Sequence, residues 1–312
     1  MAWLRALGSY LPARVVDNAE LAPMVGVDAA WLLRATGIAE RRFAAPDETV
    51  ATLGAAAAAD CLASAGVAAA EVGMLIVASG SAERRFPGPA ATIARAAGMA
   101  GKPAIDLPMA SAGGLFGIAL AAELARAYGN VLVVAAEIMS RVVRMDPAGR
   151  DTAILFGDGA GACLVSREAG FAEIVDAEIA TDGEFAEALR LDFDGPLEMD
   201  GRAIILQASR KLPRAIGAVL ERNHVLPTEV GTYLLHQANL NLIVRVAQAL
   251  GAPEERFFRN IERYGNTSSA SLPIAAAEWW RATGGTLREP IVLAAFGAGL
   301  NWGAVLARPG GH

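Results

Sequence analysis

Three polar residues in this chain sit where an acyl group could be transferred. Ser111 lies in Ala104-Ile-Asp-Leu-Pro-Met-Ala-Ser111-Ala-Gly-Gly-Leu-Phe-Gly-Ile-Ala-Leu-Ala-Ala-Glu123. An apolar run ends there in small residues and a helical pattern starts at once. A side chain on such a corner faces a pocket. Its Oγ lies near free N–H groups and the positive end of a helix dipole, which suits an acyl-transfer nucleophile. His236 ends the apolar run Thr232-Tyr-Leu-Leu235 and opens Gln237-Ala-Asn239-Leu-Asn. Imidazole moves protons near neutral pH, although a lone histidine at a strand end is more often structural. Asn266 falls in Tyr264-Gly-Asn266-Thr-Ser-Ser-Ala-Ser271, a turn and N-cap before a helix, or a cap and nothing more. Phe296-Gly-Ala-Gly-Leu-Asn-Trp-Gly303 is a glycine-rich corner after a strand. It either lends N–H groups to an oxyanion or simply turns the chain. The other two histidines are His224, in the charged stretch Glu221-Arg-Asn-His and read as solvated, and the terminal His312.

The elements that must hold these residues alternate. Met74–Ala78, Val131–Ala135, Ala160–Val165, Tyr233–Leu235 and Ile291–Ala295 read as buried strands. Thr52–Gly66, Leu115–Tyr128, Ile204–Arg222, Leu240–Leu250 and Leu272–Thr283 read as helices. This is an α/β pattern. It also repeats. Glu71-Val-Gly-Met-Leu-Ile-Val before Ser111 is echoed by Glu229-Val-Gly-Thr-Tyr-Leu-Leu. Met109-Ala-Ser-Ala is matched at the same offset by Thr267-Ser-Ser-Ala. Two similar α/β halves are expected, 1–168 and 169–312, with their helix-start corners meeting at the interface.

Composition bounds the function. With 312 residues, 54% of them hydrophobic and 19% charged, the chain can bury a large core. A net charge of −6 without any Lys/Arg run argues against nucleic-acid binding. The alanine-rich stretches are interrupted by charge and read as buried helices, so no membrane association is expected. No secretory leader is evident at the N-terminus. The only cysteines, Cys61 and Cys163, have no metal or redox spacing and read as inert core residues. That usage fits a reducing compartment, and a cytoplasmic location is expected.

His236-Gln-Ala-Asn239, Gly265-Asn-Thr-Ser268 and the Gly297 corner, in this order and spacing, resemble a β-ketoacyl-ACP synthase III of the thiolase superfamily. Trp31-Leu-Leu-Arg-Ala-Thr-Gly-Ile-Ala-Glu-Arg-Arg-Phe-Ala-Ala-Pro-Asp-Glu-Thr49 and Phe156-Gly-Asp-Gly-Ala-Gly161 are similar to two further signatures, so the resemblance spans nearly the whole chain. It implies a thiolase-like five-layer αβαβα fold of two βαβαβαββ halves, a homodimer, and a Cys–His–Asn triad. The cysteine would take an acyl group from acyl-CoA. The His and Asn would bind a malonyl thioester on acyl carrier protein while it decarboxylates. By position, His236 and Asn266 match the last two members and Trp31 and Arg150 match residues that grip the CoA nucleotide. The backbone N–H groups of Ser111 and Ala298 would form the oxyanion hole. Asn239 and Arg202 would contact substrate. No metal or resident cofactor is implied; acyl-CoA and malonyl thioester are substrates.

Ser111 stands where the family has its cysteine. A helix dipole worth about 1 kcal/mol can help ionise a thiol but not a hydroxyl. Ser111 therefore needs a base, and His236 is the candidate. An acyl-serine is an oxygen ester, less electrophilic than a thioester. Loading gains and carbon–carbon condensation loses, which favours transfer to an oxygen or nitrogen acceptor. Malonyl decarboxylation needs only His236 and Asn266. A native serine acyl-enzyme, a degenerate partner subunit of an active ketosynthase and an engineered replacement all stay open. Smaller departures are Ala35 for an arginine, with Arg34 one residue earlier, and Asn241 for a basic carrier-docking residue. Arg202 stands for a pocket asparagine, Ala298 for a glycine, and Gly114 for an aromatic residue, a change expected to widen the acyl pocket.

Overall fold

The computed structural model describes residues 1–310; His312 lies outside them. Nine strands form its main sheet: β1 (Ala2–Tyr10), β2 (Val72–Ala78), β3 (Ala104–Leu107), β4 (Asn130–Ile138), β5 (Asp158–Ser166), β6 (Ala172–Thr181), β7 (Thr232–Leu235), β8 (Ile291–Gly297) and β9 (Asn301–Pro309). They run in the order β7-β8-β9-β6-β1-β5-β4-β2-β3. The order contains a repeat. On one side, β2 pairs in parallel with β3 and β4, and β4, β5 and β1 follow antiparallel. On the other, Tyr233 of β7 bridges in parallel to Phe257, β7 pairs in parallel with β8, and β8, β9 and β6 follow antiparallel. The two sets join only where Ala2–Leu4 of β1 meet Ala172–Ile174 of β6.

Alternation along the strands sets the layers, because successive side chains leave a strand on opposite faces. Ile76, Val131 and Val133 face one way and join Leu115 and Ile118 of α3 (Gly113–Tyr128) and Leu272 and Ala276 of α6 (Ser271–Ala282). Leu293 and Val305 reach the same central layer from the second set of strands. Leu75, Val77, Leu132 and Val134 face away, onto α1 (Val50–Ala65) and α2 (Pro89–Ala96). Val292, Ala294 and Leu306 face α4 (Gly201–Arg222) and α5 (Leu240–Leu250). Five layers result, α1/α2, sheet, α3/α6, sheet, α4/α5, which is the thiolase-like arrangement. Cys61 and Cys163 are both buried, and burial pushes the Cys61 thiol up to about 12 and Cys163 well above its usual value. Both are core residues, as expected. No helix among the described residues is long and apolar enough to cross a membrane.

The central helices press close because the strand beneath them lacks side chains. A Cβ on Gly161 of β5 would come within 2.6 Å of Pro273 and 2.7 Å of the Ile274 nitrogen. The Phe156–Gly161 signature is thus a seat for α6. Its Asp158 is fully buried and accepts from the Ala44 N–H (2.7 Å), the Ser140 N–H (2.8 Å) and the Ser140 hydroxyl (2.6 Å).

A second buried carboxylate ties the corners together. Glu137, near the end of β4, is fully buried. It accepts from the hydroxyls of Ser79, Ser81 and Ser269 (3.2, 2.5 and 2.6 Å) and from the N–H groups of Gly80, Ser81 and Ser269. Ser269 belongs to the corner that opens α6, so one carboxylate holds the strand ends of the first half to the corner of the second. Glu137→Gln turns two acceptor oxygens into one and sets an NH2 against donors. The expected loss is about 2–4 kcal/mol of stability, seen as a lower urea midpoint at unchanged slope. A midpoint unmoved within error contradicts this role.

Candidate active site

Ser111 occupies the turn between β3 and α3 with φ +57°, a left-handed conformation that a serine adopts only when its surroundings hold it. Its counterpart, Ser268, also has positive φ (+49°) and opens the turn into α6. The offset read from sequence pairs Ser111 with Ser269. The backbone pairs it with Ser268, one residue earlier, because a short 3-10 turn, Ser268–Ala270, precedes α6. The corners touch: the Ser111 N–H donates to Ser268 Oγ at 3.0 Å. The end of β8 closes in from the third side. A Cβ on Gly297 would fall 2.4 Å from the Ala110 carbonyl oxygen and 2.9 Å from the Ser111 Cβ. Only glycine lets that strand end reach the serine.

One cavity of about 520 Å3 brings together Ser111, His236 and Asn266, with Trp31, Asn239 and Arg202 also in its wall. All three central residues are buried. His236 follows β7 and its N–H donates to the Ala294 carbonyl at 2.8 Å. Its Nδ1 is hydrogen-bonded to Ser271 Oγ, which also accepts the Gln237 N–H at 3.1 Å. Burial pushes the imidazole pKa down to about 3, so the ring is neutral at physiological pH. Asn266 is fixed by its backbone to Leu155 and Gly157. Its Oδ1 accepts the Ser268 N–H at 2.9 Å. The amide NH2 of Asn266 is thereby left to donate toward the cavity.

Several expectations need correction. The Ser111 N–H, expected in an oxyanion hole, is given to Ser268 Oγ. Gly297, not Ala298, forms the cavity wall beside Ser111; Ala298 packs against the core cluster that holds Leu32, Phe156 and Leu197, and its carbonyl accepts from the Asn301 amide. Arg150 is exposed and pairs with its neighbour Asp151 at 3.2 Å; Asp151, not Arg150, is in the cavity wall, so a nucleotide contact by Arg150 lies outside the cavity. Asn239 does line the cavity, and its side chain also caps α5, accepting the Asn241 N–H at 2.8 Å and donating to the Ala35 carbonyl at 3.2 Å. Asn241 reaches the same carbonyl at 3.4 Å. These asparagines clamp the helix Ala29–Thr36, which carries Trp31, against the second half. Gly114 does not widen the cavity, because a side chain there would strike the Ser269 carbonyl oxygen at 2.6 Å and Pro273 at 3.0 Å. His224 is exposed, as expected. Glu137 and Ser271 were missed. The signals were an acid ending the apolar run Val131–Ala136 and a serine on the first turn of a helix. Among the described residues no cluster of His, Cys, Asp and Glu could hold a metal.

A thiolase-like fold with a corner hydroxyl, a buried neutral imidazole and an amide donor in one cavity defines an acyltransferase of the ketosynthase class. The family profile for 3-oxoacyl-[acyl-carrier-protein (ACP)] synthase III matches residues 105–183, and the profile for its C-terminal part matches 220–308. β-Ketoacyl-[acyl-carrier-protein] synthase III from Oleidesulfovibrio alaskensis is 35% identical over 98% of both chains. That from Rhodobacter capsulatus is 37% identical, again over 98% of both. The crystal structure of the Aquifex aeolicus 3-oxoacyl-[acyl-carrier-protein] synthase III superposes with a TM-score of 0.94 at 35% identity, covering 99% of this chain and 100% of that one. The priming β-ketosynthase from the R1128 polyketide pathway superposes at 0.91 and 31% identity, covering 99% and 96%. The chain belongs to the β-ketoacyl-[acyl-carrier-protein] synthase III family.

Burial of His236 has a consequence for stability. The unfolded chain binds a proton on this ring below about pH 6.5, whereas the folded chain refuses it down to about pH 3. Stability therefore falls on acidification through that window, by about 1.4 kcal/mol per pH unit from this group. Urea titrations at pH 6.5 and 5 should show a steeper loss for the wild type than for His236→Gln. Equal losses contradict a neutral buried ring.

Proposed function

We propose that this chain takes an acyl group from acyl-CoA onto Ser111 and passes it on, in fatty-acid or polyketide-type biosynthesis. The receiver is a malonyl-ACP-derived carbon or an oxygen or nitrogen acceptor. The observation that carries this is the strained Ser111 corner opening into one cavity with His236 and Asn266. In loading, Ser111 Oγ attacks the thioester carbonyl and its proton passes to His236 Nε2. The carbon–sulfur bond then breaks and the CoA thiolate leaves with that proton. Trp31, 40% exposed at the cavity wall, and Arg202 offer a stacking face and a cation to the CoA nucleotide. Arg150, exposed nearby, is available to a phosphate.

A second reading, malonyl thioester decarboxylation without acyl loading, is favoured by the Asn266 amide and the imidazole, which do not depend on Ser111. Carrier-protein docking is weakened by Asn241, whose side chain is spent on Ala35. A homodimer is supported by the open edge of β3, with Ile105 40% exposed, and by Phe86, 86% exposed, in the loop before α2. Two free buried cysteines fit a reducing, cytoplasmic setting.

Intact-mass measurement after incubation with a panel of acyl-CoAs tests the proposal. One acyl group should add to the wild type, none to Ser111→Ala, and none to His236→Ala. If no acyl-CoA modifies the wild type while Ser111→Cys is readily acylated, Ser111 is not the nucleophile.

A further inference from the structure

Ser271 does more than open a helix. Its Oγ meets His236 Nδ1 and the Gln237 N–H, and all three residues are buried. An N–H can only donate, so Gln237 takes one lone pair of the hydroxyl. The hydroxyl has a single proton of its own. If the imidazole also donated to Oγ, that proton would find no acceptor among the described residues. If the hydroxyl donates to Nδ1 instead, every donor is met. A buried donor left unmet is disfavoured by on the order of tenfold or more. The ring proton then sits on Nε2, the nitrogen not engaged with α6. With Oδ1 of Asn266 held by Ser268, the His236 and Asn266 side chains present two N–H donors to the cavity.

We propose that Ser271 is a positioning residue that sets the tautomer of His236 and so ranks the two half-reactions open to this site. The ranking rests on the function proposed above. Two donors suit the oxygen of an enolate. When a malonyl thioester loses CO2, the electrons of the broken carbon–carbon bond pass to that oxygen, and water later protonates the carbon. Loading of Ser111 needs the opposite arrangement: an Nε2 lone pair to take the serine proton. That lone pair exists only in the minor tautomer, where Nδ1 carries the proton and Ser271 accepts. One hydroxyl therefore favours decarboxylation and restrains loading.

The test has two arms. In protein labelled with 15N-histidine, at pH 7, the His236 signals (identified by their loss in His236→Gln) should show Nε2 protonated and Nδ1 bare. Ser271→Ala should give a mixture, and Ser271→Thr should restore the single form. In the second arm, acyl loading is timed by intact mass and decarboxylation is timed with malonyl-CoA. In Ser271→Ala the ratio of loading to decarboxylation should rise on the order of tenfold, because the minor tautomer gains most, while decarboxylation falls no more than about twofold. A merely structural role would lower both rates together. A wild-type proton on Nδ1, or an unchanged ratio, overturns the proposal. If wild type never acylates, the function proposed above fails separately, and the nitrogen signals and decarboxylation rate still decide the role of Ser271; where Ser271→Ala does not fold, the nitrogen signals of wild type and Ser271→Thr decide it.

Discussion

The site depends on one hydrogen bond between two strained corners, from the Ser111 N–H to Ser268 Oγ. Each corner has a serine at positive φ, and each opens one of the two central helices. Neither conformation is comfortable for a residue with a Cβ. Each persists because the other half braces it. Gly297 allows the end of β8 to close on Ser111, and Glu137 holds Ser269 against the strand ends of the first half. Ser111 comes from one half and His236 and Asn266 from the other, so a shift between halves would separate them.

Burial then shapes the chemistry. A hydroxyl, unlike a thiol, cannot be ionised by a helix end, so a hydroxyl nucleophile needs a partner that accepts protons. The available partner is a neutral ring with its Nδ1 already engaged and its pKa pushed down to about 3. Such a ring is a weak base and a good donor. Asn266, with its oxygen held by the Ser268 backbone, is a donor as well. The cavity is better prepared to receive negative charge on oxygen than to create it on Ser111.

Much of this was legible from residue order. The strands around Val131–Ala135 and Ile291–Ala295 are long runs of β-branched and small apolar residues, which only a doubly covered sheet can bury. Ser111, His236 and Asn266 each end an apolar run or open a helix, and those junctions are where this fold keeps its functional groups. What escaped depends on distances between halves. Asn239 lines the cavity where a substrate contact is expected, but the second task of its side chain, capping α5 and gripping Ala35, escaped. Gly114 looks like room for an acyl chain, yet the room is filled by Pro273 and the Ser269 carbonyl. The Ser111 N–H looks free at a helix start, yet it is met by a serine 157 residues away. Strands β1, β6 and β9 were also missed. β6 is mostly half-buried and is interrupted by Glu173, Asp176 and Glu178, and the glycines and tryptophans of β1 and β9 break the apolar pattern.

The most direct test is a crystal structure of the protein after reaction with a short acyl-CoA. The account predicts an ester on Ser111 Oγ, lying in the cavity between His236 and Asn266, with Ser268 Oγ still bonded to the Ser111 N–H. Unmodified Ser111 beneath an intact acyl-CoA, or an acyl group carried on any other residue, would contradict it.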